Sequence, residues 1–486
     1  MAENSRIELS EQNIDNLIVQ LTEENSRKAI QLLQRKEIHT PDWLELEKQY
    51  NKNHHLINDR GFRPDKKKDG SIYQVSRIPV ALQKLASERM SELMFAIPVK
   101  RKYNYPKERE ETYKEITKAI ENIYSRLRID TLNLDRGDYL FSACEIATIL
   151  YLKEEQNTKY GFDSKYKVRL KCYTPKNGDR LYPLFDDYGD MIAFSVEYKR
   201  KVMKNGTIVE QTHFDTYTAK FIYNWEYMEG SSVELPIVSA NPIGKIPVSY
   251  CYREEPIYAD VCADNPMEKG LVDEIEIAIS DNSDVNRINA APILAGKGLS
   301  TEGDKGGILR FYNMGENGDL KYVTWQQATE SVKFQFETML KLFFMQLQLP
   351  DLSFENLKQL GIQSGEAMKM LLTDSHLKAG HEKGRFIEMF DREANIIKAV
   401  LKLMNVNWAN YLDNIEIEHE ITPFIPNDES VNLSNITKAT GGKAVMSQRE
   451  GIEKFGYSDN PEQTLKEIQE EEKQSALNGN TGMIFE

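Results

Sequence analysis

The sequence predicts an α+β fold, and three observations predict it. Apolar residues recur at helical spacing through the first third. The stretch from Lys167 to Tyr252 alternates and is cut by turn signals, and helical periodicity returns from Met267 onward. At 486 residues the chain is past the size at which one core keeps growing, so roughly two to four structural modules are expected. Apolar residues at 40% and charged residues at 28% are the composition of a chain that folds.

In order along the chain, residues 7 to 35 place Leu17, Ile18, Leu21, Ile30 and Leu33 at helical spacing, which predicts one or two surface helices. Asn51–Tyr73 is basic and irregular, a connecting loop or arm whose charge run is ordinarily a solvated face. After Pro79 an amphipathic helix carries Leu82, Leu85, Met90, Leu93, Met94 and Ile97 on one stripe and stops at Pro98. Helical patterns follow over Glu110–Arg126 and Leu132–Ile149. Four stretches then read as strands of an antiparallel sheet: KVRLKCYTP, MIAFSVEYKRKV, FDTYTAKFIYNWEY and IPVSYCYR. Between them stand turn signals such as KNGD and NPIG, and Asn205-Gly206 suits a tight turn with positive φ.

Helix returns at Met267–Ala291, with Leu271, Ile275, Ala278, Val285 and Ile288 facing one way and Asp273, Glu274, Glu276, Asp281 and Asp284 facing others. Pro292 ends it, and a glycine-rich β-like insert runs to Trp325. Ala328–Gln348 is helical again. An interruption containing Pro350 and Gly361 follows, and then a long helix from about Gly365 to Met404, with a bend expected near Gly380 and Gly384. The C-terminal part reads as a strand, NIEIEHEITPFI, then a helical pair. Ser447 with Glu450 fits a capping box, and Asn460 with Pro461 and Gln463 fits a cap followed by proline at the first helical position. The closing LNGNTGMIFE reads as a flexible tail.

Charge and motifs narrow the function classes. With 62 Lys and Arg against 76 Asp and Glu, the net charge of -14 argues against an ordinary non-specific DNA binder. It leaves open a protein that lets DNA slide past. The four cysteines are far apart and form no CxxC pair, which points to a reducing environment and to neither zinc nor disulfides. No signal peptide or bilayer-length apolar run is present, so synthesis in the cytoplasm without membrane insertion is expected.

ATGGKAV around Lys443 lacks the first glycine and the Ser/Thr of a phosphate loop, and HEKGR lacks the second histidine of a zinc-protease helix. DNSDVN from Asp281 has Val285 and Asn286 where a calcium loop needs an oxygen ligand and a glycine. No GxSxG occurs. No catalytic residue, metal or cofactor is expected, and the chain is read as a non-enzyme.

Three stretches, in this order, carry a resemblance: NPIGKIPVSYCYREEPIYADVCADNPMEKGLVDEIEIAISDNSDVNRINAAPILAGKG, QSGEAMKM and GGKAVMSQREGIEKFGYSDNPEQTLKEIQEEEK. The chain resembles the portal proteins of tailed bacteriophages, especially those with long non-contractile tails, over about residues 75 to 475. The resemblance implies a portal fold of wing, stem, clip and crown, assembled as a ring of twelve copies at one capsid vertex. In this sequence 1–266 would be an N-terminal arm and α/β wing, 267–291 and 326–348 the two stem helices, and 292–325 the clip. Residues 349–363 would be a tunnel loop, 364–406 a spine helix, and 407–486 the crown and tail.

The resemblance further implies a channel for packaging and ejecting double-stranded DNA, passed non-specifically. The tunnel loop would present Asp351, Ser353, Asn356, Lys358 and Gln359 to DNA, and Glu276, Asp284, Lys333 and Lys341 would line the stem. Arg310, Tyr312, Lys321 and Trp325 of the clip would dock the terminase large subunit and later the head-completion or adaptor protein; the bland alternative is that they close a small β core. The major capsid protein would surround the ring, and the location would be the virion. An adaptor or minor capsid protein without a channel is the competing reading.

Overall fold

The mixed helix and strand content expected from the sequence is present in the computed structural model. It describes residues 9–68, 71–204, 206–228, 230–263, 268–289, 293–300, 313–323, 329–351, 370–424, 429–441, 444–455, 458 and 460–480. The chain forms two compact units. The first is Met1–Asp351 with Ser375–Phe424, the second Leu352–Asp374 with Ile425–Glu486.

In the first unit, β6 (Arg180–Phe185), β7 (Met191–Lys204), β8 (Thr207–Tyr217), β9 (Phe221–Tyr227) and β10 (Ile237–Ala240) form an antiparallel meander. Gly206 in the β7–β8 turn has φ +78, the backbone that the sequence expectation required there. Helices α1 (Ile14–Glu24) and α2 (Ser26–Leu33) lay Ile14, Ile18, Ala29, Ile30 and Leu33 onto this sheet, against Phe214, Tyr223 and Trp225. FDTYTAKFIYNWEY is therefore two strands, split where the Phe221 amide donates to Thr218 Oγ1 at 2.9 Å.

A second sheet has the order β11 (Val248–Tyr252), β4 (Glu145–Asn157), β5 (Ser164–Tyr173). Here the structure corrects the helix expected to reach Ile149. Helix α6 (Ile129–Ala143) stops at Cys144, whose φ of 64 is left-handed, and Glu145–Leu150 continues as a strand buried throughout. A short apolar run buried on both faces has no periodicity to separate strand from helix.

The main core joins α4 (Leu82–Phe95), α6 and the long helix α9 (Thr373–Met404). Phe95 meets Phe386 edge-on with ring centroids 4.8 Å apart. Residues 365–369, expected as the first turns of that helix, lie outside the described residues; from Thr373 it runs without interruption through Gly380 and Gly384. A second core packs α5 (Glu110–Leu127) through Ile116, Ile120 and Ile123 against Ile397, Val400 and Leu401 of α9.

Helices α4 and α6 approach closely at Gly137, where a Cβ would collide with Ser91 Oγ. Gly137→Ala should therefore cost about 1–3 kcal/mol by overpacking, read as a lowered melting temperature. Strand β3 (Lys100–Asn104) pairs antiparallel with β14 (Glu416–Glu420), so residues 407–424 belong to the first unit.

Among the described residues after Phe424, the second unit contains α11 (Glu429–Thr440), α12 (Gln448–Phe455) and α13 (Pro461–Asn480), three helices where a pair was expected; the four-residue helix Ala409–Leu412, α10, precedes them in the first unit. The capping box closes both ways: the Glu450 amide donates to Ser447 Oγ at 3.2 Å and the Ser447 amide to Glu450 Oε2 at 3.1 Å. The Gln463 amide donates to Asn460 Oδ1 at 3.3 Å, and α13 continues to Asn480, into what reads from sequence as tail.

Candidate functional site

Helix α7 (Leu271–Asn289), the hairpin of β12 (Ile293–Ser300) and β13 (Asn313–Val323), and helix α8 (Thr329–Gln346) follow one another in the first unit. Val272 and Ile275 of α7 and Phe343 of α8 are anchored in the main core.

A row of polar residues on α7, spaced by four, is buried: Glu276, Ser280 and Asp284. Against it lies the extended segment Ser76–Val80. The Val80 amide donates to Glu276 Oε1 at 2.7 Å, the Ile78 amide to Ser280 Oγ at 3.0 Å, and the Ser76 amide to Asp284 Oδ1 at 2.7 Å. The match is metric. Two residues of extended chain advance about 6.6 Å and four residues of helix about 6 Å, so every second amide meets every fourth side chain.

Charged partners complete this clasp. His55 Nδ1 is 2.6 Å from Glu276 Oε1, and its Nε2 is 2.8 Å from the Gln49 carbonyl. Arg63 reaches Asp284 at 2.9 Å and Asp281 at 2.8 Å. Burial opposes ionisation of Asp284, but the Ser76 and Arg63 hydrogen bonds outweigh it and hold the carboxyl below its usual range.

The expectation that Glu276 and Asp284 line a channel is corrected by this geometry: both carboxylates are spent inside the subunit. The basic arm, in turn, is not simply a solvated face. Its Arg63 and His55 are two of the groups that hold α7, a role that sequence reading missed.

Lys333 and Lys341 are exposed on α8, in one row with Glu337, which stands 3.8 Å from Lys333. Beside that row Phe334 is 72% and Met345 66% exposed, and Leu342 is also exposed. At its C-terminal end α8 is pinned by neighbours. Gln348 takes a left-handed φ of 53, and three side chains cap the carbonyls that follow: Lys378 Nζ donates to Leu347 O at 2.9 Å, Ser375 Oγ to Gln348 O at 2.7 Å, and Arg89 Nη1 to Pro350 O at 3.1 Å. Desolvation lowers the pKa of Lys378.

The root of the interruption is thus fixed up to Asp351, which is half-buried. Ser353, Asn356, Lys358, Gln359, Arg310, Tyr312 and Trp325 lie outside the described residues, and Lys321 stands in β13 opposite Ala295. Among the described residues, no group of three or more His, Cys, Asp or Glu is placed to hold a metal ion, and no helix is long and apolar enough to cross a membrane.

No curated protein matches the chain by sequence. Among solved structures, the neck of an empty GTA particle computed with C6 symmetry is similar over 88% of this chain and 96% of that one, at 12% identity and a TM-score of 0.38. A sequence model of the family described as phage portal protein, SPP1 Gp6-like, matches residues 31–477, more than nine-tenths of the 486. By that match the chain belongs to the SPP1 Gp6-like phage portal protein family.

Proposed function

We propose that the protein acts as a ring of about twelve copies at one capsid vertex, surrounding a channel through which double-stranded DNA enters and leaves the particle. The observation that supports it best is the outer surface of α8. Phe334, Leu342 and Met345 are large apolar side chains left in water by a lone subunit, and they adjoin the charged row Lys333, Glu337, Lys341. A second copy covering the apolar row leaves the charged row for the lumen. Two lysines per subunit, one of them 3.8 Å from Glu337, keep phosphate contacts few and DNA mobile, since each such contact adds affinity and would slow translocation.

In this reading α7 and α8 are the stem, and residues 1–266 the arm and wing. Residues 292–325 are the clip, offering Arg310, Tyr312, Lys321 and Trp325 to the terminase large subunit and then to the head-completion protein. The tunnel loop is residues 349–363 and presents Asp351, Ser353, Asn356, Lys358 and Gln359 to DNA. The spine is α9, and the crown is narrowed to residues 425–480. The protein is a virion component bordered by the major capsid protein, and has no enzymatic activity of its own.

Native mass spectrometry with negative-stain imaging of the purified chain tests this. Rings of about twelve with an axial opening are expected. Phe334→Asp with Met345→Asp should abolish rings while leaving the subunit's circular dichroism unchanged; a wild-type protein that stays monomeric at high concentration overturns the reading.

A further inference from the structure

In the first unit, between the α5–α6 corner and the outer edge of β5, lies an open cleft of about 530 Å³. Six cations line it: Arg126, Arg128, Lys159, Lys167, Arg169 and Lys171, against one lining acid, Asp135. In a chain of net charge -14 this is a local inversion of sign. Like charges gathered at one edge repel one another, and an anionic ligand relieves that repulsion.

The local structure explains how the cations come together. Lys167, Arg169 and Lys171 alternate along β5 and so share one face over about 14 Å of strand, opposite the face of Val168 and Leu170 that packs with α5, so that the six cations straddle the open edge of β5. Arg128, at φ 54, forms the left-handed junction between α5 and α6, with Arg126 just before it, and both line the cleft.

Two of the six are already engaged. Lys167 pairs with Glu155 at 2.7 Å, and Lys171 Nζ sits 4.0 Å from the centre of the Tyr173 ring. Among the described residues, Arg126, Arg128, Lys159 and Arg169 form no ion pair. No described strand pairs with the outer edge of β5, where the Val168 amide donates to Tyr160 Oη at 3.0 Å.

We propose that this cleft binds the phosphate backbone of duplex DNA, as a contact surface separate from the α8 face and independent of the channel reading. Three features favour DNA over an acidic protein segment. The cations are spread along a trough instead of focused on one point. Three of the four unpaired ones are arginines, whose planar fork matches phosphate oxygens. The rim offers no exposed aromatic anchor of the kind that dominates protein interfaces, and the aromatic residue lining the cleft, Tyr160, is buried with its hydroxyl in use.

The test is fluorescence anisotropy of a labelled 30-base-pair duplex with the full chain across a salt series. Arg126→Gln, Lys159→Gln and Arg169→Gln are combined, leaving Arg128 at its left-handed position. Each phosphate contact contributes about -0.9 to the slope of log K against log salt, so the triple variant should show a slope shallower by about 2.7. Its penalty relative to wild type should shrink about fortyfold between 50 and 200 mM salt. A control with Lys28→Gln, Lys84→Gln and Lys114→Gln, exposed lysines paired with a glutamate four residues away, should bind as wild type does.

Ring formation by native mass spectrometry is followed in parallel, and its loss bears on the assembly reading alone. Should the triple variant fail to melt cooperatively, Arg169→Gln by itself, with a slope change of about one, decides the matter. DNA binding equal to wild type in these variants, or none by wild type at 50 mM salt, overturns the proposal. Selective binding of a peptide of residues 461–480 by wild type assigns the cleft instead to the acidic helix of another copy. Displacement by inorganic phosphate beyond chloride at equal ionic strength, with no DNA bound, assigns it to the free anion.

Discussion

Arg136→Ala should destabilise the first unit by about 3–5 kcal/mol, the cost of stranding a buried charge. Arg136 and Glu393 are fully buried, at 0% and 1% exposure, and their side chains meet at 2.5 Å across α6 and α9. Arg136 Nη1 also donates to Asn133 Oδ1 at 3.0 Å. A buried pair adds little net stability, because desolvation offsets its attraction, while removal of one partner is severe.

The double change Arg136→Met with Glu393→Leu is accordingly expected to fall within about 1 kcal/mol of wild type, or above it. Chemical denaturation gives both values, and native-state hydrogen exchange places the loss on α6 and α9. An alanine variant as stable as wild type would show that the two charges do not depend on one another.

Glu276→Ala should be comparably costly, by about 3–5 kcal/mol, but local in its effect. It deprives both His55 Nδ1 and the Val80 amide of their acceptor in a buried site. Glu276→Gln keeps an acceptor and the volume, so it should recover part of the loss, the remainder measuring the charge. Limited proteolysis between residues 51 and 80 reads the outcome directly, because release of the arm frees the chain around Arg63, whose side chain is 14% exposed while it is clasped. Unchanged cleavage in Glu276→Ala would mean that Ser280 and Asp284 suffice to hold the segment.

What the sequence made legible divides by range. The Ser447–Glu450 box and the Asn460 cap were readable because all partners lie within four residues. Gly206 was readable because its turn requires positive φ. The turn at Thr218 was not, since it is built around Ala219 and Lys220 with a threonine hydroxyl in place of glycine. Nor was the clasp: the spacing of Glu276, Ser280 and Asp284 was visible, but their partners are about 200 residues away. Carboxylates on a helix therefore read as a solvated or lumen-facing surface, although burial had already claimed two of them.

The pairing of β3 with β14 also dictates an order of events. Residues 100–104 leave the ribosome more than 300 residues before the strand that completes their sheet, and Arg136 likewise precedes Glu393 by 257. At about 5–20 residues per second that interval is roughly 15–60 s, during which β3 keeps an open edge and α6 carries a lone cation. The first unit is thus closed by residues made long after the ones they pair with. A nascent chain truncated before residue 393 lacks a sheet partner and a counter-charge together, and so is left with the surfaces that chaperones and proteases recognise.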